Sequence, residues 1–135
     1  MHAHYTRLFA DSHGASCFED REIELKPGFA VPPAEPLHSA QFLSAEGTLW
    51  LGAPPTWKGD AAHPAPRRMI FVTVQGEYKI EASDGVARRF PPGSVLLIED
   101  TVGAGHSTKV TSTEDAIVLA AGLPAAAPSS SRSAS

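Results

Sequence analysis

Asparagine does not occur in these 135 residues, so the chain carries no acceptor for N-glycosylation. Cysteine occurs once, as Cys17, which excludes an internal disulfide framework and fits a reducing compartment. The cytoplasm is the expected location. No run of about 18 apolar residues exists, and the opening stretch MHAHYTRLFADSHG lacks the apolar centre of a signal peptide, so neither membrane spanning nor secretion is expected. Positive charge is scarce as well: 11 Lys and Arg against 15 Asp and Glu leave a net charge of -4. The pairs Arg67-Arg68 and Arg88-Arg89 are too short to build the broad field that a phosphate backbone requires, which excludes nucleic acid as an expected partner. Capped segments of helical period are also missing.

What the chain does have is punctuation. Twelve prolines and 11 glycines divide it into short segments that alternate in polarity or are rich in β-branched residues, the pattern of strands. Strands are expected over 17–25, 40–52 (one or two), 69–75, 77–82, 87–90, 94–100, 106–112 and 115–123, which makes the fold all-β, a sandwich or barrel. Asp84-Gly85 is suited to a tight hairpin. With 42% hydrophobic residues the chain can bury one core, placed at 17–123. Residues 1–16 read as a partly ordered N-terminal segment, and 124–135, rich in Ser, Ala and Pro, as a disordered tail. The His-x-His at His2 and His4 then belongs to a frayed end. His13 and His38 have no spaced partners, and GAGHST lacks the lysine and following helix of a phosphate loop.

Residues 63–110, HPAPRRMIFVTVQGEYKIEASDGVARRFPPGSVLLIEDTVGAGHSTKV, resemble the two-motif core of a small single-domain cupin. When the family's first motif is anchored on Gly76, its first histidine falls on His63, its second on Ala65 and its glutamate on Met69. The second motif fits in two registers. One starts at Gly85, matches Pro91 and Gly93, and puts Leu96 at the histidine position. The other starts at Gly93, runs through SVLLI and a loop two residues longer than the pattern, and reaches His106, with Val110 at the terminal asparagine. The second keeps the strand-turn-strand order of the motif and is preferred. The resemblance implies a double-stranded β-helix, the cupin jelly-roll barrel, with His63 and His106 at two of four metal-ligand positions.

Two ligands are fewer than a catalytic zinc or iron site uses, so no cofactor is the leading expectation. A divalent transition metal stays open as an alternative if Asp100 or Glu99 completes a set with the two histidines. Strand parity puts Ala65, Arg67, Met69, Phe71 and Thr73 on the face of His63, provided that no bulge intervenes at Pro64 or Pro66. Ile70, Val72 and Val74 form a second apolar row on the other face. Thr108 shares the face of His106, and Asp100 lies across the turn from it. A carboxylate on one ring nitrogen would orient His106 and leave the other nitrogen to move a proton. The expectation is therefore metal-independent acid-base chemistry, an isomerisation, dehydration or cyclisation of a small molecule. In it His106 is the base, Asp100 its partner, His63 the acid and Arg67 the oxyanion or carboxylate holder. Met69, Phe71, Thr108 and Trp57 are the expected pocket wall. The alternatives are a metal-dependent oxygenase using His63 and His106, and a non-catalytic ligand binder. The outward apolar row also points to a homodimer.

Overall fold

A computed structural model describes residues 1–125. The expected tail at 124–135 falls, from residue 126 onward, outside the described residues. Among the described residues twelve strands follow one another without a helix: β1 (His2–Ala10), β2 (Ser16–Glu24), β3 (Lys26–Phe29), β4 (Leu37–Ser39), β5 (Gly47–Ala53), β6 (Lys58–His63), β7 (Met69–Gln75), β8 (Tyr78–Ala82), β9 (Ala87–Phe90), β10 (Val95–Glu99), β11 (His106–Val110) and β12 (Ala116–Gly122). Among the described residues no helix is long and apolar enough to cross a membrane.

Period-two burial shows why these segments are strands. In β8 Tyr78, Ile80 and Ala82 are buried while Lys79 and Glu81 turn outward. In β12 Ala116, Val118, Ala120 and Gly122 are buried. The β8–β9 turn closes at Gly85, whose φ of 95° suits a residue without a Cβ.

Six strands pair in the order β2-β1-β10-β7-β12-β5 and four in the order β6-β11-β8-β9; β3 and β4 form a separate hairpin. The two larger sheets share one core, with Leu8, Leu96, Ile98, Val118 and Ala120 from the first against Tyr78, Ile80, Ala82 and Phe90 from the second. The architecture is thus an all-β sandwich. Among the described residues the strands do not close into a barrel, since each of these sheets ends in edge strands.

Two sequence expectations need correction. The N-terminal segment is not frayed: β1 pairs in parallel with β10 and antiparallel with β2, and Leu8 is fully buried. It was illegible because the residues that share the face of Leu8, namely His2, His4 and Thr6, are polar and leave Leu8 as the one buried position of the strand. Residues 40–46, expected as strand, instead form a strap. Phe42 packs edge-on against Tyr5 of β1, with centroids 4.9 Å apart, and Glu46 N–H donates to Gly122 O of β12 at 2.8 Å. Because β10 and β7 lie between β1 and β12, the strap crosses the outer face of the six-stranded sheet and covers part of its apolar row.

Candidate functional site

The site is assembled where β6 and β11 pair and β10 ends. His106 opens β11 and stands opposite His63, the last residue of β6. Between β10 and β11 the loop 101–105 turns on Gly103 and Gly105, with φ of 84° and 79°. Gly105 lies against the backbone of His63 and Pro64, where a side chain would collide. Gly103 lies against Gly14, and Ala104 N–H donates to Gly14 O at 3.0 Å. The loop therefore docks onto the β1–β2 turn and brings the start of β2 beneath the histidine.

That docking places Ser16 on Asp100. The Ser16 hydroxyl donates to Asp100 Oδ2 at 2.8 Å, and His106 Nδ1 stands 2.6 Å from the same oxygen. A carboxylate only accepts, so Nδ1 carries the proton and donates, and Nε2 is the ring nitrogen left to act. Asp100 is 0% exposed, and its other oxygen, Oδ1, has no protein partner. Its main-chain carbonyl accepts from Ala65 N–H at 2.9 Å, so the residue is fixed through both backbone and side chain. His63 is held differently. Its Nδ1 donates to the Pro64 carbonyl at 2.8 Å, which again leaves Nε2, and its ring centroid lies 5.6 Å from that of His106.

Both imidazoles line a cavity of about 420 Å³ between the two sheets. Apart from Thr108 its wall is otherwise apolar or aromatic, and it contains all four expected pocket residues, Met69, Phe71, Thr108 and Trp57. Trp57 is half-exposed and folds over Gly59, where any side chain would displace the indole. Tyr78 also lines the cavity and was not anticipated. It stacks on Phe90 at 5.1 Å, and burial pushes its phenol well above the usual range. The hydroxyls of Tyr78 and Thr73 are buried without a hydrogen-bond partner. Ser16 was missed as well, since 84 residues separate it from Asp100 and nothing local marks the contact.

Arg67 does not enter the cavity. The chain leaves strand geometry between β6 and β7, at Pro64–Arg68, so period-two alternation does not govern where Arg67 points. The Arg67 guanidinium lies over Gly122 and donates to Glu46 Oε1 at 2.7 Å and to Leu123 O at 2.9 Å. Glu99 is also turned away from the histidines, because Ile98 takes the inward position. Arg7 Nε donates to its Oε1 at 2.6 Å and Arg68 Nε to its Oε2 at 2.8 Å. Burial alone would raise the Glu99 pKa, but these two guanidinium bonds outweigh it and hold the carboxyl below its usual value.

These placements bear on metal binding. Among the described residues no group of three His, Cys, Asp or Glu side chains is gathered to hold an ion. Asp100 Oδ2 is occupied by Ser16 and His106, and Ala65 and Met69, which line the cavity with the histidines, bring no hard donor. The residues present thus do not fit a catalytic first-row metal. The arginine pairs carry no free positive face either: Arg67, Arg68, Arg88 and Arg89 are each paired with a carboxylate, Glu46, Glu99, Asp20 and Glu77. Comparison with protein-family models and with curated proteins finds no match to this chain.

Proposed function

We propose that this chain is a cupin-like cytoplasmic protein whose cavity takes a small apolar or aromatic carbonyl compound and moves a proton on it by side-chain acid-base chemistry. The observation that carries the reading is the buried Asp100–His106 pair, at 2.6 Å, on the wall of an apolar cavity. His106 Nε2 removes a proton from the carbon next to the carbonyl, and the C–H electron pair moves toward the carbonyl oxygen. The imidazolium so formed is held by the Asp100 carboxylate. His63 Nε2, once protonated, returns a proton elsewhere on the ligand, which completes an isomerisation or starts a dehydration or cyclisation. Such proton transfers contribute roughly 10²- to 10⁴-fold, and a cavity of 420 Å³ is of ordinary small-molecule size.

Because all three reactions start from the same C–H cleavage, one experiment tests them together. The purified protein in deuterated water should exchange the α-hydrogens of 2-tetralone, an apolar aromatic ketone, with a bell-shaped pH profile. His106→Ala should abolish this exchange, and His63→Ala should slow it. Exchange unchanged by His106→Ala sinks the assignment. A second reading, a non-catalytic binder, is favoured by one observation: with Arg67 on Glu46, no Lys or Arg among the described residues lines the cavity to stabilise an oxyanion. Saturable binding of 2-tetralone without exchange would establish that reading instead.

A further inference from the structure

The His-x-His of β1 is ordered, and the chemistry proposed above leaves it unused. His2 and His4 are two residues apart in a strand, so both rings stand on one face, that of Leu8. Across the ladder His2 is opposite Glu24 of β2, and His4 is opposite Glu22. Two imidazoles and two carboxylates therefore share one face of the β1–β2 ribbon.

The hydrogen-bond pattern brings the four close together. Leu25 N–H donates to Met1 O at 2.8 Å, which makes Met1–Leu25, and every second rung after it, a hydrogen-bonded pair. The rungs between, His2–Glu24 and His4–Glu22, are of the other kind, in which Cα atoms are only about 4.5 Å apart and the side chains lie nearer one another. Residues on one face follow each other at about 7 Å along a strand, so all four side chains rise from a patch of about 4.5 by 7 Å.

Nothing in the fold occupies this patch. His4 Nδ1 stands 3.7 Å from Glu22 Oε2, with side chains 74% and 58% exposed, and His2 and Glu24 are exposed as well. One rung inward, Asp20 binds Arg88 of β9 and neutralises that cation. Lys26 Nζ comes only to 4.0 Å of Glu24 Oε1, in an exposed pair that water screens. Among the described residues β10 pairs with β1 only at Thr6–Phe9, so the outer end of the ribbon has no third strand. Two strands alone are marginal in water, and a ligand bridging them would hold that end closed.

We propose that His2, His4, Glu22 and Glu24 form a cross-strand site for one zinc ion, which ties together the outer end of the β1–β2 ribbon. Zinc takes imidazole nitrogen and carboxylate oxygen together, most often four donors in all. Two ionised carboxylates balance its charge while both rings bind in their neutral form. The side chains are not gathered beforehand; the ion draws them together from exposed rotamers, and their lost freedom is the cost it meets. The site shares no residue with the cavity of His63 and His106, so it is independent of the proton transfer proposed there.

Calorimetric titration of the full chain, without a histidine tag, with zinc chloride tests this. Saturation at one ion per chain is expected, and it should persist in His63→Ala with His106→Ala. His2→Ala with His4→Ala should abolish it. Glu22→Gln with Glu24→Gln should weaken it by roughly 10-fold or more, since even the loss of an outer-shell partner costs that much. In the wild type zinc should also slow amide hydrogen exchange at Ala3 and Ile23, the rung between the two ligand pairs, and it should have no such effect in the His2 and His4 variant. Absence of saturable binding would leave the two rungs as solvated cross-strand pairs and overturn the proposal. So would binding that survives the loss of His2 and His4, binding indifferent to the glutamate changes, or exchange at Ala3 and Ile23 that zinc leaves unaltered. Binding lost with His63 and His106 would place the ion in the cavity and overturn it equally.

Discussion

At the scale of single residues, the candidate site is made of groups whose partners are unusual for their burial. Asp100 has three hydrogen-bonding neighbours, but both side-chain contacts fall on one oxygen, while the Tyr78 hydroxyl has only that of Thr73 beside it, outside good hydrogen-bond geometry. The phenol lends itself to a direct test. Its folded pKa lies above the ordinary value of 10.0 because burial disfavours the charged form. The stability linked to this group is therefore complete below about pH 10 and is lost as pH rises beyond it, since the unfolded chain releases the proton first. Tyr78→Phe should flatten that alkaline loss and, because it removes an unpaired buried hydroxyl, should leave stability at neutral pH unchanged or raise it by up to about 1 kcal/mol. Urea melts at pH 7 and above pH 10 would show this; an unchanged alkaline limb would mean that Tyr78 is not its source. Sequence reasoning reached His63 and His106 through a motif resemblance, and Asp100 because it and His106 flank one short turn, a local pattern. It did not reach Ser16 or Tyr78, whose roles depend on chain brought in from elsewhere.

At the scale of elements, turns decide the site more than strands do. The loop 101–105 works only because Gly105 can take φ of 79° while its Cα lies against the His63 backbone. Gly105→Ala should cost about 1–2 kcal/mol from the left-handed backbone alone, with more from displacing His63. In thermal melts the midpoint should fall, and in nitrogen-15 spectra the His106 Nδ1 proton should lose its strong hydrogen-bond shift as the loop lifts Asp100 away. A variant that keeps both the wild-type midpoint and that shift would show that the loop does not hold the pair. The elements themselves were unequally legible. β7, β8, β10 and β12 show the alternation or β-branched runs that strands require, and they lie close to where the sequence puts them. β6, with the sequence KGDAAH, has no such pattern and is a strand only because β11 offers it a pairing edge. The bend at Pro64–Arg68 had the opposite effect, since alternation assigns faces only where the backbone is extended. Arg67 falls within that break, and Met69 and Phe71 beyond it are inward again.

At the scale of the whole molecule, Glu99 joins distant parts of the chain: Arg7 on β1 and Arg68 before β7 both bind its carboxylate at the end of β10. Its folded pKa is below the ordinary 4.5, so the stability it contributes is present above that pH and is lost as pH falls through the folded value. Glu99→Gln should lower the unfolding free energy at pH 7 and make it less sensitive to acid below pH 4.5, measured by denaturant melts across that range; an acid limb identical to wild type would locate acid sensitivity elsewhere. At this scale too, what the amino-acid order alone determines can be separated from what it leaves open. The all-β class, most of the strands and the apolar identity of Met69, Phe71 and Thr108's neighbours are local properties, because pleat parity, proline and glycine act within a few residues. Parity says which side chains share a face, but it does not say what lies opposite. The pairing of Ser16 with Asp100, the capture of Arg67 by Glu46, the parallel docking of β1 on β10 and the strap over the outer face all join residues far apart in the chain. Their energies come from burial and hydrogen bonds that exist only once both sheets have formed, and for that reason the tertiary structure alone decided them.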